Sequence, residues 1–241
     1  MQKSKLATAV YAAMFVFGTK ASASLLFVGV IPSTGNGIGA VNTSLTFQNT
    51  GSESGCVAFD GTNVTTGASS CPTGFTGGDE NPGASQTNVF TATDLGFSAT
   101  RNFSNLALIF NGDEGGNIAD KPITLNLLGL SLYSSTGTRL MTFTTTGPIN
   151  LIDFPGLGNA GVGFGLDAAQ AAQANAFLIS NPNLRIGTEA NASSANGGPE
   201  TIQLVTFTSG VVQQFLTPEP FSLGLVAIGF SALGLLKRRH R

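Results

Sequence analysis

The chain is 241 residues long, 41% hydrophobic and only 10% charged, with eleven Lys and Arg against thirteen Asp and Glu, a formal net charge of -2. Seven of the cations (Lys3, Lys5, Lys20, Lys237, Arg238, Arg239 and Arg241) lie at the two ends, so residues 24–217 hold Arg101, Lys121, Arg139 and Arg185 against twelve acids, a net of -8. A body so acidic lacks the clustered cations that phosphate backbones require, which argues against a nucleic-acid partner; it favours solubility and the attraction of divalent cations.

Met1 to Ala23 reads as a secretory signal peptide. Lys3 and Lys5 form a basic start, Leu6 to Gly18 an uncharged core too short to span a bilayer, and Ala21-Ser22-Ala23 a small-x-small site that places the cut after Ala23. Lys20, between the core and the cut, is less usual. An oxidising destination makes a Cys56–Cys71 disulfide the expected use of the two cysteines, closing a loop rich in Thr, Gly and Ser. A metal site is the competing use, but two thiols with no histidine in residues 24–217 leave it short of ligands.

The body, residues 24–216, reads as short strands separated by turn chemistry. Leu25 to Ile31 is a continuous apolar run ended by Pro32. Val41, Thr43, Leu45 and Phe47 alternate with Asn42, Ser44, Thr46 and Gln48, the period of a strand with one wet face. From Asn49 to Gln86 periodicity is weak, and a long loop tied by the disulfide is expected. Asn88 to Thr93 is a candidate strand, with Thr93 capping a short helical turn over Asp94 to Phe97. Leu106 to Phe110 is apolar throughout, as a strand covered on both faces would be, and runs into an acidic loop from Asn111 to Asn117.

In Ile123 to Tyr133 the alternation Ile123, Leu125, Leu127 slips phase to Leu128, Leu130, Leu132, which predicts a β-bulge at Leu127-Leu128. Ser134 to Thr138 reads as a hairpin loop into a strand over Arg139 to Thr145. Gly161-Val162-Gly163-Phe164-Gly165-Leu166 alternates glycine with large apolar residues, so another element should lie against its bare face. Asp167 then caps a helix, AAQAAQANAFLIS, stopped by Pro182 and expected to dock on a sheet through Phe177 and Leu178. Leu184 to Ala190 and Thr201 to Thr208 are the last strands. About eight strands and one late helix predict a mainly β body, an antiparallel β-sandwich with one late α-helix.

The chain closes on Thr217-Pro218-Glu219-Pro220, sixteen uncharged residues from Phe221 to Leu236, and Lys237-Arg238-Arg239-His240-Arg241. As a helix the apolar run would span about 24 Å. The basic residues Lys237, Arg238, Arg239 and Arg241 read as a cytoplasmic stop for a transmembrane helix over 221–236. Residues 217–241 resemble the PEP-CTERM sorting signal of Gram-negative, exopolysaccharide-producing bacteria, on the strength of Pro218-Glu219-Pro220, the short apolar span and the terminal basic cluster. The resemblance implies export through the Sec-type machinery and signal peptidase, and transient anchoring in the inner membrane. It also implies removal of the tail by an exosortase-like membrane protease, with exopolysaccharide as a partner. The run GLGNAGVGFGLDAAQAAQANAFL also looks like a segment recurring in uncharacterised proteins of that kind.

Several apparent sites fail on their context. Gly156 to Gly161 fits G-x-G-x-x-G, but Phe154-Pro155 precedes it and the helix begins only after Asp167, so the phosphate-cradling geometry is missing. The sole histidine, His240, lies in the discarded tail, which removes Ser/His/Asp and Cys/His nucleophile systems from the processed chain. A carboxylate-based hydrolase would need two acids with one pKa raised. The best constellation is Asp113, Glu114 and Asp120, joined by Asp79 and Glu80, hard oxygen ligands in Gly/Asn-rich loops that suit Ca²⁺ although the spacing is not that of an EF-hand. Otherwise no cofactor is expected. The Asn-x-Ser/Thr triplets at Asn42, Asn63, Asn102 and Asn191 are read as composition.

The sequence thus predicts a non-enzymatic protein of the cell surface or extracellular matrix with a structural or interaction role. A glycan- or Ca²⁺-binding module is the alternative, and a carboxylate-based hydrolase the third reading.

Overall fold

The computed structural model describes residues 25–32, 42–74, 76–112, 122–151 and 160–207. The segments expected to be a signal peptide, an acidic loop beyond Gly112, and a sorting tail with a transmembrane helix lie outside these residues. In chain order the strands are β1 (Leu25–Pro32), β2 (Thr43–Phe47), β3 (Gly51–Phe59), β4 (Val64–Thr66), β5 (Phe90–Thr91), β6 (Leu106–Asn111), β7 (Ile123–Tyr133), β8 (Arg139–Thr144), β9 (Ile149–Leu151) and β10 (Ala160–Leu166). Helix α1 (Ala168–Ser180) follows, then β11 (Arg185–Ala195) and β12 (Glu200–Thr206).

The chain is mainly β: two antiparallel sheets and one helix. A five-stranded sheet runs β1-β10-β6-β12-β2, and a seven-stranded sheet runs β4-β3-β11-β7-β8 with β5 on β11 and β9 on β7. One hydrophobic core takes side chains from both, among them Phe47, Phe110 and Phe164 from the smaller sheet and Leu130, Phe143 and Ile186 from the larger. Burying each such side chain contributes about 1.5–3 kcal/mol. Thr188 Oγ1 in β11 donates to Ser44 Oγ in β2 at 2.9 Å, a buried polar link between the sheets.

β6 is buried along its whole length, as its apolar run predicts. The phase slip in β7 is a bulge, one residue earlier than expected: Leu127 faces Asn191 and Leu125 faces Ala192, so Asn126 is the extra residue. Its amide is used at once, Nδ2 donating to Asn191 Oδ1 at 2.8 Å and to Ser193 Oγ at 3.1 Å.

Four expectations give way. β2 has no wet face. All five of its residues are buried, the register with β12 slips across Ser44, and Ser44 Oγ donates to Asn88 O at 3.1 Å. The free edge of β2 is sealed by the segment that follows β4: Gln48 N donates to Asp79 O, Asn81 N to Thr46 O and Asn88 N to Ser44 O, each at 2.9 Å. Residues 49–86 are not a long loop, because β3 and β4 lie within them as a hairpin. Asp60 Oδ1 closes that hairpin by accepting from Thr62 N and Asn63 N at 2.8 and 2.7 Å, with Gly61 at φ 104. Small residues make β3 strand-competent because Gly55 must stay bare: a Cβ there would stand 3.0 Å from Phe47 Cβ and 3.2 Å from Leu45 Cδ1.

The strand after Asn88 shrinks to Phe90–Thr91, and the turn behind it is capped by Thr91 instead of Thr93, with Thr91 Oγ1 accepting from Asp94 N at 3.1 Å. The bare face of β10 is covered from within its own sheet. A Cβ on Gly161 would meet Ile109 of β6 and one on Gly163 would meet Ile31 of β1, side chains that form a second small cluster with Val28 and Ala107.

Helix α1 begins at Asp167 as expected, in a reciprocal capping box with Gln170. It seats through Ala171 and Ala174, both buried, on β10 and the short 3-10 turn Phe103–Asn105, with Phe177 and Leu178 only partly covered. Asn175 Oδ1 accepts from Phe103 N at 3.1 Å. β11 runs five residues past Ala190, to Ala195, and ends at Ser194-Ala195, where Ser194 takes φ 63.

Candidate functional site

The chemically distinctive region lies on the outer face of the seven-stranded sheet. Along β11, Ala190 and Ala192 turn into the core, so Arg185, Gly187, Glu189, Asn191 and Ser193 share the opposite face. Glu189 stands opposite Cys56 of β3 and Gly129 of β7. Alternation places it in water, yet it is 1% exposed.

Two features bury it. Gly129 leaves the space its carboxyl occupies: a Cβ there would lie 2.6 Å from both Glu189 Cγ and Oε1. The stretch after Cys71 then closes over the top, Thr73 donating to Oε2 from its hydroxyl at 2.8 Å and from its backbone N–H at 3.3 Å. Oε1 is buried without a hydrogen-bond partner among the described residues. Burial pushes the Glu189 pKa up, the Thr73 bonds and the charge of Arg139 pulling it partly back. On the same face burial also raises Tyr133, opposed by its hydrogen bond with Ser131 and by Arg139.

The covering stretch is held by the disulfide. Cys56 in β3 and Cys71 after β4 are bonded as expected, Cα atoms 5.2 Å apart, and the bridge staples the β3–β4 hairpin to the strand it leaves. Glu80 reinforces it: Oε1 accepts from Cys56 N at 2.7 Å and Gly67 N at 3.2 Å, and Oε2 from Gly78 N at 3.0 Å. Asp79 accepts from Ser54 N at 2.8 Å and Asn49 Nδ2 at 2.9 Å. Both acids, expected to adjoin a Ca²⁺ cluster, therefore satisfy donors of the fold. Cys56, Cys71 and Glu80 bring potential ligand atoms within 4.8 Å of one another, but both sulfurs are consumed by the disulfide.

Toward the far end of β11 the outer face carries an uncharged, partly open row. Asn126, Asn191 and Ser193 form one hydrogen-bonded group, and Thr124 Oγ1 donates to Asn150 Oδ1 at 2.9 Å beside it. Thr124 pairs with Ser193 across the strands, so the row is continuous from β11 through β7 to β9.

Of the residues singled out from sequence, Cys56, Cys71, Asp79 and Glu80 come together. Asp113, Glu114 and Asp120 lie outside the described residues, as do Ala21 and Ala23, Pro218, Glu219 and Pro220, and the basic residues Lys237, Arg238, Arg239 and Arg241. Glu189 and Thr73 were not legible as partners; the signal for them is Gly129, a bare position in the leucine-rich strand β7. Compared with protein-family models, curated proteins and solved structures, the chain matches none of them.

Proposed function

We propose that this is an exported, non-enzymatic protein of the cell surface or extracellular polysaccharide matrix with a structural or interaction role. It is delivered by its amino-terminal signal and by a tail, Pro218-Glu219-Pro220 onward, that resembles a PEP-CTERM sorting signal. The observation that carries the reading is the Cys56–Cys71 disulfide on the outer face of the larger sheet, a cross-link that persists in oxidising compartments and supports a destination outside the cytoplasm. The employment of Asp60, Asp79, Glu80, Asp94 and Asp167 as acceptors within the fold supports a structural role for these carboxylates.

The test is cell fractionation with intact-mass analysis of the recovered protein. Loss of both ends and recovery outside the inner membrane is the expected result. Unprocessed chain in the cytosol with free thiols would refute it.

A second reading, a glycan-binding module, is favoured by the uncharged amide and hydroxyl row of Asn126, Asn191, Ser193, Thr124 and Asn150. Neutral polysaccharide offers matching donors and acceptors. Pull-down on the producing cell's own exopolysaccharide, weakened by Asn126→Ala with Asn191→Ala, is the expected outcome; equal retention of parent and variant would discard the reading. Ca²⁺ assistance through Asp113, Glu114 and Asp120 is tested by calorimetric titration, and no binding below millimolar Ca²⁺ would retire it. The hydrolase reading would need a second carboxyl beside Glu189, whose side-chain hydrogen bonds among the described residues go to Thr73.

A further inference from the structure

We propose that, while the tail holds this chain in a bilayer, the end of the fold that carries Arg101, Arg139 and Arg185 rests on anionic phospholipid headgroups, with the opposite, acidic end turned away. The inference rests on the reading of residues 221–236 as a membrane helix. Strand registers define the end. In the smaller sheet Leu25 pairs with Leu166, Gly165 with Ala107, Ala107 with Val205 and Leu106 with Thr206, so the chain enters β1 and leaves β12 at the same end. In the larger sheet Arg185 pairs with Tyr133, and Tyr133 with Arg139. The two rows belong together: Thr91 of β5 pairs with Arg185, and Thr206 Oγ1 donates at 2.8 Å to Leu95 O in the turn that follows β5. Arg101 bridges Ser98 just beyond that turn, ahead of Asn105, whose carbonyl accepts from Phe207 N at 3.0 Å.

Charge is sorted along the same axis. Of the four cations in residues 24–217, Lys121 lies outside the described residues and the other three are all at this end. Arg139 is exposed, while Arg101 and Arg185 are half-buried, the Arg185 guanidinium standing 5.2 Å from the centre of the Phe59 ring. Asp60, Asp94 and Asp167 are here too, each accepting from a main-chain N–H, so three carboxylates balance three guanidinium groups. The other end holds no cation among the described residues. Glu200 opposite Phe47, Glu53 opposite Ala192, and Asp79, whose carbonyl accepts from Gln48 N, lie toward it. Asn111 and Ile123, which flank the segment containing Asp113, Glu114, Asp120 and Lys121, are at that end as well.

Tether and charge both select the bilayer as the occupant. Residues 208–220 join Phe207 to the apolar run that starts at Phe221, and a chain of that length reaches about 45 Å when fully stretched. The residues of β7 alone span about 36 Å. Turning the acidic end to the membrane would draw the link taut along the whole fold, whereas seating the arginine end leaves it slack. Anionic headgroups attract guanidinium groups and repel carboxylates. Screening over a Debye length of about 8 Å at physiological salt confines that force to whichever end is nearest. One end offers arginines in balance with acids and the other, among the described residues, acids alone, so charge and tether favour the same orientation.

The chain has two cysteines, both in the disulfide, so a fluorophore on a third reports a single place. Ser135→Cys, exposed in the loop after Tyr133, reads the arginine end, and Thr50→Cys, exposed between β2 and β3, reads the other. Each full-length variant, made in a host without a tail-removing protease, is reconstituted into phosphatidylglycerol vesicles carrying a headgroup-bound quencher. Flotation with the vesicles tests the tail, and quenching tests the orientation. Both variants are expected to float, with several-fold stronger quenching of the Ser135→Cys label than of the Thr50→Cys label. The difference should shrink when Arg139→Glu and Arg185→Glu are added together, and again in phosphatidylcholine vesicles, which carry no net charge. Chain that does not float would refute the tail reading and the proposal with it. Chain that floats with equal or reversed quenching overturns the proposal alone, as does a difference that neither the charge reversal nor phosphatidylcholine reduces.

Discussion

Thr73 and Glu189, 116 residues apart in sequence, meet through a 2.8 Å hydrogen bond from the threonine hydroxyl to the carboxylate. The contact holds the end of the disulfide hairpin on the middle of the larger sheet, and it makes that seat sensitive to protons. Burial raises the pKa of Glu189 above its ordinary 4.5, so the folded chain keeps a proton that the unfolded chain releases. This carboxyl therefore contributes stability that is fully present below the unfolded pKa and is lost as pH climbs through the folded one. Glu189→Gln cannot ionise, so its melting temperature relative to the parent should rise from pH 4 to pH 8 by a few degrees, roughly 1 kcal/mol corresponding to ~2–4 °C for a chain of this size. Parallel melting curves against pH, followed by circular dichroism, would contradict the assignment.

Gly129 is required by the same carboxyl. Gly129→Ala would press a methyl to within 2.6 Å of Glu189 Cγ and Oε1, an overpacking expected to cost about 1–3 kcal/mol. In a Glu189→Ala background the space is empty and most of that cost should vanish. Urea denaturation of the parent, both single variants and the double variant measures the coupling; additive losses would count against it.

The disulfide closes a loop of sequence separation 15, for which chain entropy gives about 3 kcal/mol of stabilisation. Cys56→Ala with Cys71→Ala is expected to lower stability by that order. Reductant should destabilise the parent and leave the double variant unchanged in the same denaturation assay.

Asp167 caps α1, its Oδ1 accepting from Gln170 N at 2.7 Å while Gln170 Oε1 accepts from Asp167 N at 3.1 Å. Asp167→Ala should cost about 1 kcal/mol. Asp167→Asn, which keeps the acceptor, should retain most of the stability in a thermal melt.

Sequence periodicity reveals the apolar strands and the slip in β7 because those features depend on near neighbours. The slip is located only to within a residue, since Asn126, the extra residue, leaves no gap in an apolar pattern that already counts Leu127 as inward. β3 is illegible for a different reason. GSESG reads as a loop when nothing says that Phe47 and Leu45 will occupy the volume its side chains lack. Glu189 and Ser44 are misplaced into water for a third: Glu189 is covered by Thr73 and Ser44 meets Thr188 of the other sheet, both partners distant in sequence, and alternation carries no information about either. The disulfide itself needs only a count of two cysteines and a destination.

Cys56 and Cys71 are near neighbours in the chain, while the acid that seats their hairpin comes 116 residues after Thr73. A polypeptide emerging amino end first can therefore bring these two thiols together before the strand bearing Glu189 has been made. Once the fold is complete, Cys56 and Cys71 are both buried, so an oxidant arriving after that point would find the thiols out of reach.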